Sequence, residues 1–195
     1  MSAFEEFFRE LDGRWPPTGR ISLRIIGCSA LTLQADYDRG TKDSDVLETA
    51  ELTSETKNRL LGLAGRGTDL HDRHRLYIDI VSEGIPFLPQ GPNWHPLTEL
   101  NASLRHFDLL ALDIVDVVVS KLKRFSANDL SDIAAMVDRG LVPHDMLISR
   151  FRAAIALFEM DARANLLSGY VKNLHQVERD LMDLCETEIE LPRWC

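Results

Sequence analysis

Apolar residues first recur at helical spacing in residues 2–12, SAFEEFFRELD, where Phe4, Phe7, Phe8 and Leu11 share one side and Ser2 caps the start. Gly13 and the turn Trp15-Pro16-Pro17-Thr18-Gly19 end that helix. The pattern then shortens. Residues 21–26 (ISLRII) form a β-branched run that predicts a strand, 29–37 read as a helix opening just after Gly27, and 42–47 read as a second strand. Good helix formers fill 53–63 with Thr53 or Ser54 as cap, and Gly65-Arg66-Gly67 stops them. A third strand spans 75–81 (RLYIDIV) and runs through the interior. Pro86, Pro89, Gly91, Pro92 and Pro96 mark a long loop that holds Trp94-His95.

Residues 104–112 predict a fourth strand. Asp113-Ile-Val-Asp116 has the spacing of a capping box and opens a helix to about residue 125, although Val117-Val118-Val119 favours strand by propensity. Ser126-Ala-Asn-Asp129 caps a helix over 127–138 that Gly140 closes. Pro143-His144 starts another, reaching about residue 160, and 171–185 makes the last. Helix and strand thus alternate three times before a further strand and several helices. That order predicts an α+β fold, with a mixed β-sheet and its helices in 1–112 and a helical C-terminal part in 113–195 packed on that core.

Composition narrows the setting. A chain of 195 residues makes one substantial domain, or a domain with a helical appendage. Its net charge of −9, from 31 acidic and 22 basic residues, opposes non-specific nucleic-acid binding, which draws on surplus Lys and Arg. Cys28, Cys185 and Cys195 are far apart and lack zinc-type pairing. That usage, with an acidic amphipathic N-terminus and no apolar run near the ~20 residues of a membrane span, predicts a cytoplasmic protein.

The chemistry concentrates between Gly27 and Asp79. On a strand, Asp43 and Asp45 share a face, with Cα atoms roughly 7 Å apart, while Ser44 points away. Two carboxylates so spaced can hold hard cations such as Mg²⁺, which takes oxygen ligands and keeps waters or substrate phosphates. Asp79, flanked by Ile78 and Ile80, is the third candidate ligand, because a carboxylate among apolar neighbours needs a partner or a metal. Gly27-Cys28-Ser29 stands where a strand turns into a helix. It serves either as a turn and cap or as a phosphate cradle of backbone amides with the Ser29 hydroxyl. Lys121, Lys123 and Arg124 form a basic cluster at a helix end, suited to a triphosphate or to the helix dipole. The cluster His71, Asp72, His74 reads as a polar loop ahead of a metal site, and Trp94-His95 as a loop anchor ahead of a base-stacking surface. Walker-type, Gly-x-Gly-x-x-Gly and Gly-x-Ser-x-Gly patterns are absent.

Together these residues resemble the nucleotidyltransferase superfamily that shares the DNA polymerase β-like catalytic fold. Gly27-Cys28-Ser29 matches its Gly-Gly/Ser motif, Asp43-Ser44-Asp45 its Asp-x-Asp, and Asp79 its later acidic residue. The stretch Arg39-Gly-Thr41-Lys-Asp43-Ser-Asp45 is similar to the Arg-x-Thr/Ser-x-Asp-x-Asp of bacterial members related to abortive-infection and toxin–antitoxin nucleotidyltransferases. A second match runs from Lys121 through Arg124 and Asp129 to Asp132-Ile133. The resemblance covers about residues 20–138 and departs at Cys28, where many relatives carry a second glycine or a small residue; a positive φ there would strain cysteine.

The resemblance implies a nucleotidyltransferase core, Mg²⁺ or Mn²⁺ on Asp43, Asp45 and Asp79, and an NTP as co-substrate. Gly27 and Ser29 would hold phosphates and Lys121 would reach the triphosphate. Arg39 and Thr41 would shape the turn or touch phosphate. Read from the residues themselves, Asp129 and Asp132 either stabilise the first turn of the Ser126-capped helix or, for Asp129, position Lys121 or Arg124 at the cofactor, with Asp132 structural. The acceptor would be tRNA or a protein, with an antitoxin-like partner and no membrane. Two other readings are a non-catalytic nucleotide-binding module on the same fold and a plain interaction protein.

Overall fold

The computed structural model describes residues 3–17, 19–37, 40, 42–158 and 165–191. Helix α1 (Ala3–Arg14) buries Phe4, Phe7, Phe8 and Leu11, the stripe its spacing predicts. Each such side chain contributes about 1.5–3 kcal/mol of hydrophobic stabilisation. Strands β1 (Ile21–Ile26), β2 (Asp43–Leu47), β3 (Tyr77–Val81), β4 (Trp94–Pro96) and β5 (Phe107–Leu112) form a sheet in the order β3-β2-β1-β5-β4. β1 runs parallel to β5 and β2 to β3, while the β1–β2 and β4–β5 pairs are antiparallel. Helices α2 (Gly27–Ala35), α3 (Ser54–Ala64), α4 (Asp69–His74) and α5 (Thr98–Asn101) connect them. The fold is α+β with a mixed sheet.

Registered partners point to the same side of a sheet, so the pairing sorts the strands into two faces. One face carries Leu23, Ile25, Ser44, Val46, Ile78, Phe107, Leu109 and Ala111, all buried. Trp15, just after α1, meets Phe107 edge-on at 5.1 Å on this side. The other face carries Arg24, Asp43, Asp45, Asp79, Trp94 and Asp108 beside the buried Ile26, Leu47 and Leu112. A fully buried face and a mixed face that gathers the sheet's charged residues is the division that positions a site.

Three elements depart from the expected reading. The polar stretch 69–74 is helix α4, capped by Thr68, whose hydroxyl accepts from His71 N. Trp94-His95 lies in strand β4, and α5 precedes β5. At six, three and four residues, these elements are too short to display a hydrophobic period. β3 also lies at the sheet's edge and not in its interior.

The chain divides into two compact units: Met1–Ile85 with Trp94–Leu112, and Pro86–Asn93 with Asp113–Cys195. The second is helical, with α6 (Ile114–Lys121), α7 (Ala127–Asp138), α8 (His144–Ile155) and α9 (Leu167–Asp180). α6 keeps its helix despite its valines because Val117, Val118 and Val119 are fully buried, and packing overrides propensity. It stops earlier than expected, and Phe125 turns left-handed at φ 49°.

The expected Asp113–Asp116 capping box does not form. Asp113 accepts from Val115 N at 2.9 Å, but Asp116 is buried and grips Arg150 at 2.6 and 2.7 Å while accepting from Asn93 N at 2.8 Å. Arg150 in turn donates to Gly91 O, and Phe87 packs on Phe151 and Tyr170, so the proline-rich stretch 86–93 is fastened to the helices. Among the described residues, no helix is long and apolar enough to cross a membrane.

Candidate functional site

β1 passes into α2 with no intervening loop. Ile26 is extended, and Gly27 takes φ +67°, a backbone that L side chains rarely adopt. Ile26 is paired with Asp45 across the β1–β2 ladder. A Cβ at position 27 would lie 2.8 Å from Asp45 Oδ2, so the carboxylate occupies the space that only glycine leaves open. The first-turn amides of α2 have no acceptor within the helix, and the helix dipole gives that end partial positive character. A cradle for anions therefore opens beside a carboxylate.

The left-handed position is Gly27 and not Cys28, which lies inside α2 and is buried. Cysteine in place of a second glycine thus carries no backbone strain. Ser29 is also buried, and its hydroxyl donates to Ile26 O at 2.9 Å. That proton is already engaged within the strand-to-helix turn.

The sheet brings the aspartates to one face. Asp43 and Asp45 are half-buried and two residues apart on β2, and Asp79 on β3 is the direct register partner of Asp45. Adjacent strands lie about 4.8 Å apart, so Asp45 and Asp79 stand side by side. Asp79 is exposed, and its Oδ1 accepts from Ile80 N at 2.9 Å. The burial cost expected for Asp79 on an interior strand does not arise at this edge. Among the described residues, no group of three or more His, Cys, Asp or Glu is arranged to hold a metal ion. The oxygen-only donors fit Mg²⁺ nonetheless, since this ion is commonly held by one or two carboxylates plus substrate phosphates. Arg39 and Thr41 lie outside the described residues.

A residue missed by sequence reasoning shares this face. Arg24, on β1 opposite Leu47, lies two positions before Ile26, and its guanidinium stands 5.3 Å from the Trp94 ring centroid. The alternation of Ser22 and Arg24 with Leu23 and Ile25 is the signal that marks it, but only the register shows which other residues share its side.

In the helical unit, Lys121 at the end of α6 is only 7% exposed. Its ammonium meets Asp129 Oδ1 at 3.2 Å and Asp132 Oδ2 at 2.7 Å, both carboxylates being buried. Arg124 clasps Asp129 with two hydrogen bonds, at 2.7 and 2.9 Å. Ser126 and Asp129 complete a capping box for α7. Burial works against the Asp129 carboxylate, but hydrogen bonds from Arg124 and Ser126 and the Lys121 charge outweigh it and hold its pKa well below the usual range.

The histidine cluster disperses. His71 Nδ1 accepts from Gly67 N at 3.0 Å, and His74 Nε2 meets Glu10 Oε2 at 2.6 Å, tying α4 to α1. These are structural partners.

A search of the curated proteins and one of the solved structures return no match. Residues 2–177 match the profile of a family described as "Nucleotidyltransferase of unknown function (DUF6036)". With most of its length matched, and with a glycine cradle, an Asp-x-Asp strand and a neighbouring acidic strand on one sheet face, the chain belongs to that nucleotidyltransferase family.

Proposed function

We propose that the chain transfers a nucleoside monophosphate from an NTP to an acceptor hydroxyl and releases pyrophosphate. The observation that carries this reading is the packing of Asp45 against the bare Cα of Gly27, with Asp79 beside it. Phosphate amides and carboxylates are thereby within reach of one nucleotide.

In the reaction, the acceptor oxygen attacks the α-phosphorus, the bond to the β-phosphate oxygen breaks, and the acceptor proton passes to a base. Asp43 and Asp45 would hold Mg²⁺ or Mn²⁺, with Asp79 at the second metal position. When bound, the ion offsets negative charge gathering on the phosphates and the leaving group. The first-turn amides of α2 would orient the phosphates, and Gly27 makes room for the Asp45 carboxylate beside them. Asp79, exposed beside Asp45, would accept the acceptor proton. Lys121 enters through the motif resemblance as a partner for triphosphate. The two carboxylates already on its ammonium favour a positioning role, fixing the start of α7 to the end of α6. Motif resemblance also extends the proposal to a tRNA or protein acceptor, an antitoxin-like partner and a cytoplasmic setting. The non-catalytic reading drew on strain at Cys28, and Cys28 lies in helix at no positive φ.

Incubation of the protein with each α-labelled NTP, Mg²⁺, total RNA and cell protein tests this. The expected result is label on one acceptor class with pyrophosphate released. In Asp45→Asn transfer should fall by roughly a thousandfold or more, with an unchanged melting temperature. Transfer by that variant near the wild-type rate would remove the assignment.

A further inference from the structure

The buried and half-buried cations of the described residues share a habit. Arg14, Lys57, Arg59, Lys121 and Arg150 each hold a carboxylate. Arg24 does not. It is half-buried on the central strand β1, and among the described residues its one interaction is with the Trp94 ring. The register puts it on the same sheet face as Asp43, Asp45 and Asp79, yet it pairs with none of them.

A guanidinium half-withdrawn from water without an anion carries part of the desolvation cost of burial, and a cation–π contact returns only about 0.5–2 kcal/mol. The Arg24 guanidinium carbon stands 5.3 Å from the Trp94 ring centroid, and an indole holds such a cation without occupying its N–H donors in hydrogen bonds. The fork of those donors matches two oxygens of a phosphate. A triphosphate brought to the three aspartates also needs cations from the protein, because the metal alone does not neutralise the leaving group.

We propose that Arg24, braced on Trp94, binds the terminal phosphates of the nucleotide, those that depart as pyrophosphate. This inference rests on the nucleotidyl-transfer reading above and adds a residue to it. It makes the sheet face bipartite: carboxylates for the metal on β2 and β3, and a cation for the leaving group on β1, steadied from β4.

Isothermal titration in Mg²⁺ tests the assignment with three probes: the NTP that wild type binds most tightly, its monophosphate, and pyrophosphate. Arg24→Gln is expected to weaken NTP and pyrophosphate by roughly ten- to a hundredfold while leaving the monophosphate unchanged. Arg24→Lys should restore only part, lacking the fork. Trp94→Leu should show a smaller loss for the same two ligands, and Trp94 emission should respond to pyrophosphate in wild type but not in Arg24→Gln. Melting curves on each variant establish that it is folded.

Wild-type affinity for NTP and pyrophosphate in folded Arg24→Gln would overturn the proposal and leave the transfer reading intact. Equal weakening of monophosphate and triphosphate would also overturn it, placing Arg24 at the α-phosphate or the base. If wild type binds neither NTP nor pyrophosphate, both readings fall together.

Discussion

Gly27 occupies a position that no side chain can enter. Its φ of +67° and the Asp45 oxygen 2.8 Å from where a Cβ would stand act on the same atom. Gly27→Ala is therefore expected to cost about 1–3 kcal/mol in denaturant unfolding and to weaken Mg²⁺-dependent nucleotide binding, because relief requires Asp45 to move. Wild-type stability and binding would mean the two residues are not coupled. The neighbouring Ser44 predicts the opposite: its hydroxyl is buried on the apolar face without a hydrogen-bond partner among the described residues. Ser44→Ala should be neutral or more stable, by up to about 1 kcal/mol in the same unfolding assay. At this scale the Asp43–Asp45 spacing and the strand-to-helix glycine were legible, since both are local. The environment of Asp79 was not, because whether a strand is central or an edge depends on pairing order. Arg24 escaped for the same reason.

Among the elements, α7 is the one whose start was plainest in the sequence, and its cap carries more than a helix end. Asp129 closes the capping box with Ser126 and also holds Lys121 and Arg124. Ser126→Ala should cost about 1 kcal/mol, as a lost cap does. Asp129→Asn should cost more, about 3–5 kcal/mol, by stripping charge from a buried pair. Unfolding curves that rank them the other way would show that Asp129 acts only as a cap. Elements α4, β4 and α5 were hidden by their shortness. The Asp116–Arg150 pair was hidden by its separation in sequence, which made Asp116 look like a capping residue.

Across the molecule, several carboxylates titrate below their ordinary range. Glu10 is lowered chiefly by His74, and Asp129 and Glu178 are lowered by hydrogen bonds that outweigh their burial. A carboxylate with a depressed folded pKa stabilises the native state above its unfolded pKa of about 4, and that contribution is lost as pH falls toward the folded value. The melting temperature should accordingly hold near neutral pH and drop below about pH 4, and should drop less in Asp129→Asn. A parallel acid drop in that variant would assign the loss to other groups. The α+β order was readable from alternating helix and strand patterns. The two-faced sheet required the register, and it is this division that gathers local motifs into one site.

The central claim is that a nucleotide binds where Gly27 meets Asp45 and Asp79. A thermal-shift titration with each NTP, with and without Mg²⁺, on wild type and Asp43→Asn/Asp45→Asn tests it most directly. A ligand at a hundred times its Kd adds about 2.7 kcal/mol of stability, a readable shift for a chain of this size. Stabilisation that needs both the metal and the aspartates is the expected result. An NTP shift that survives in the double variant, or no shift with any nucleotide in folded wild type, would contradict it.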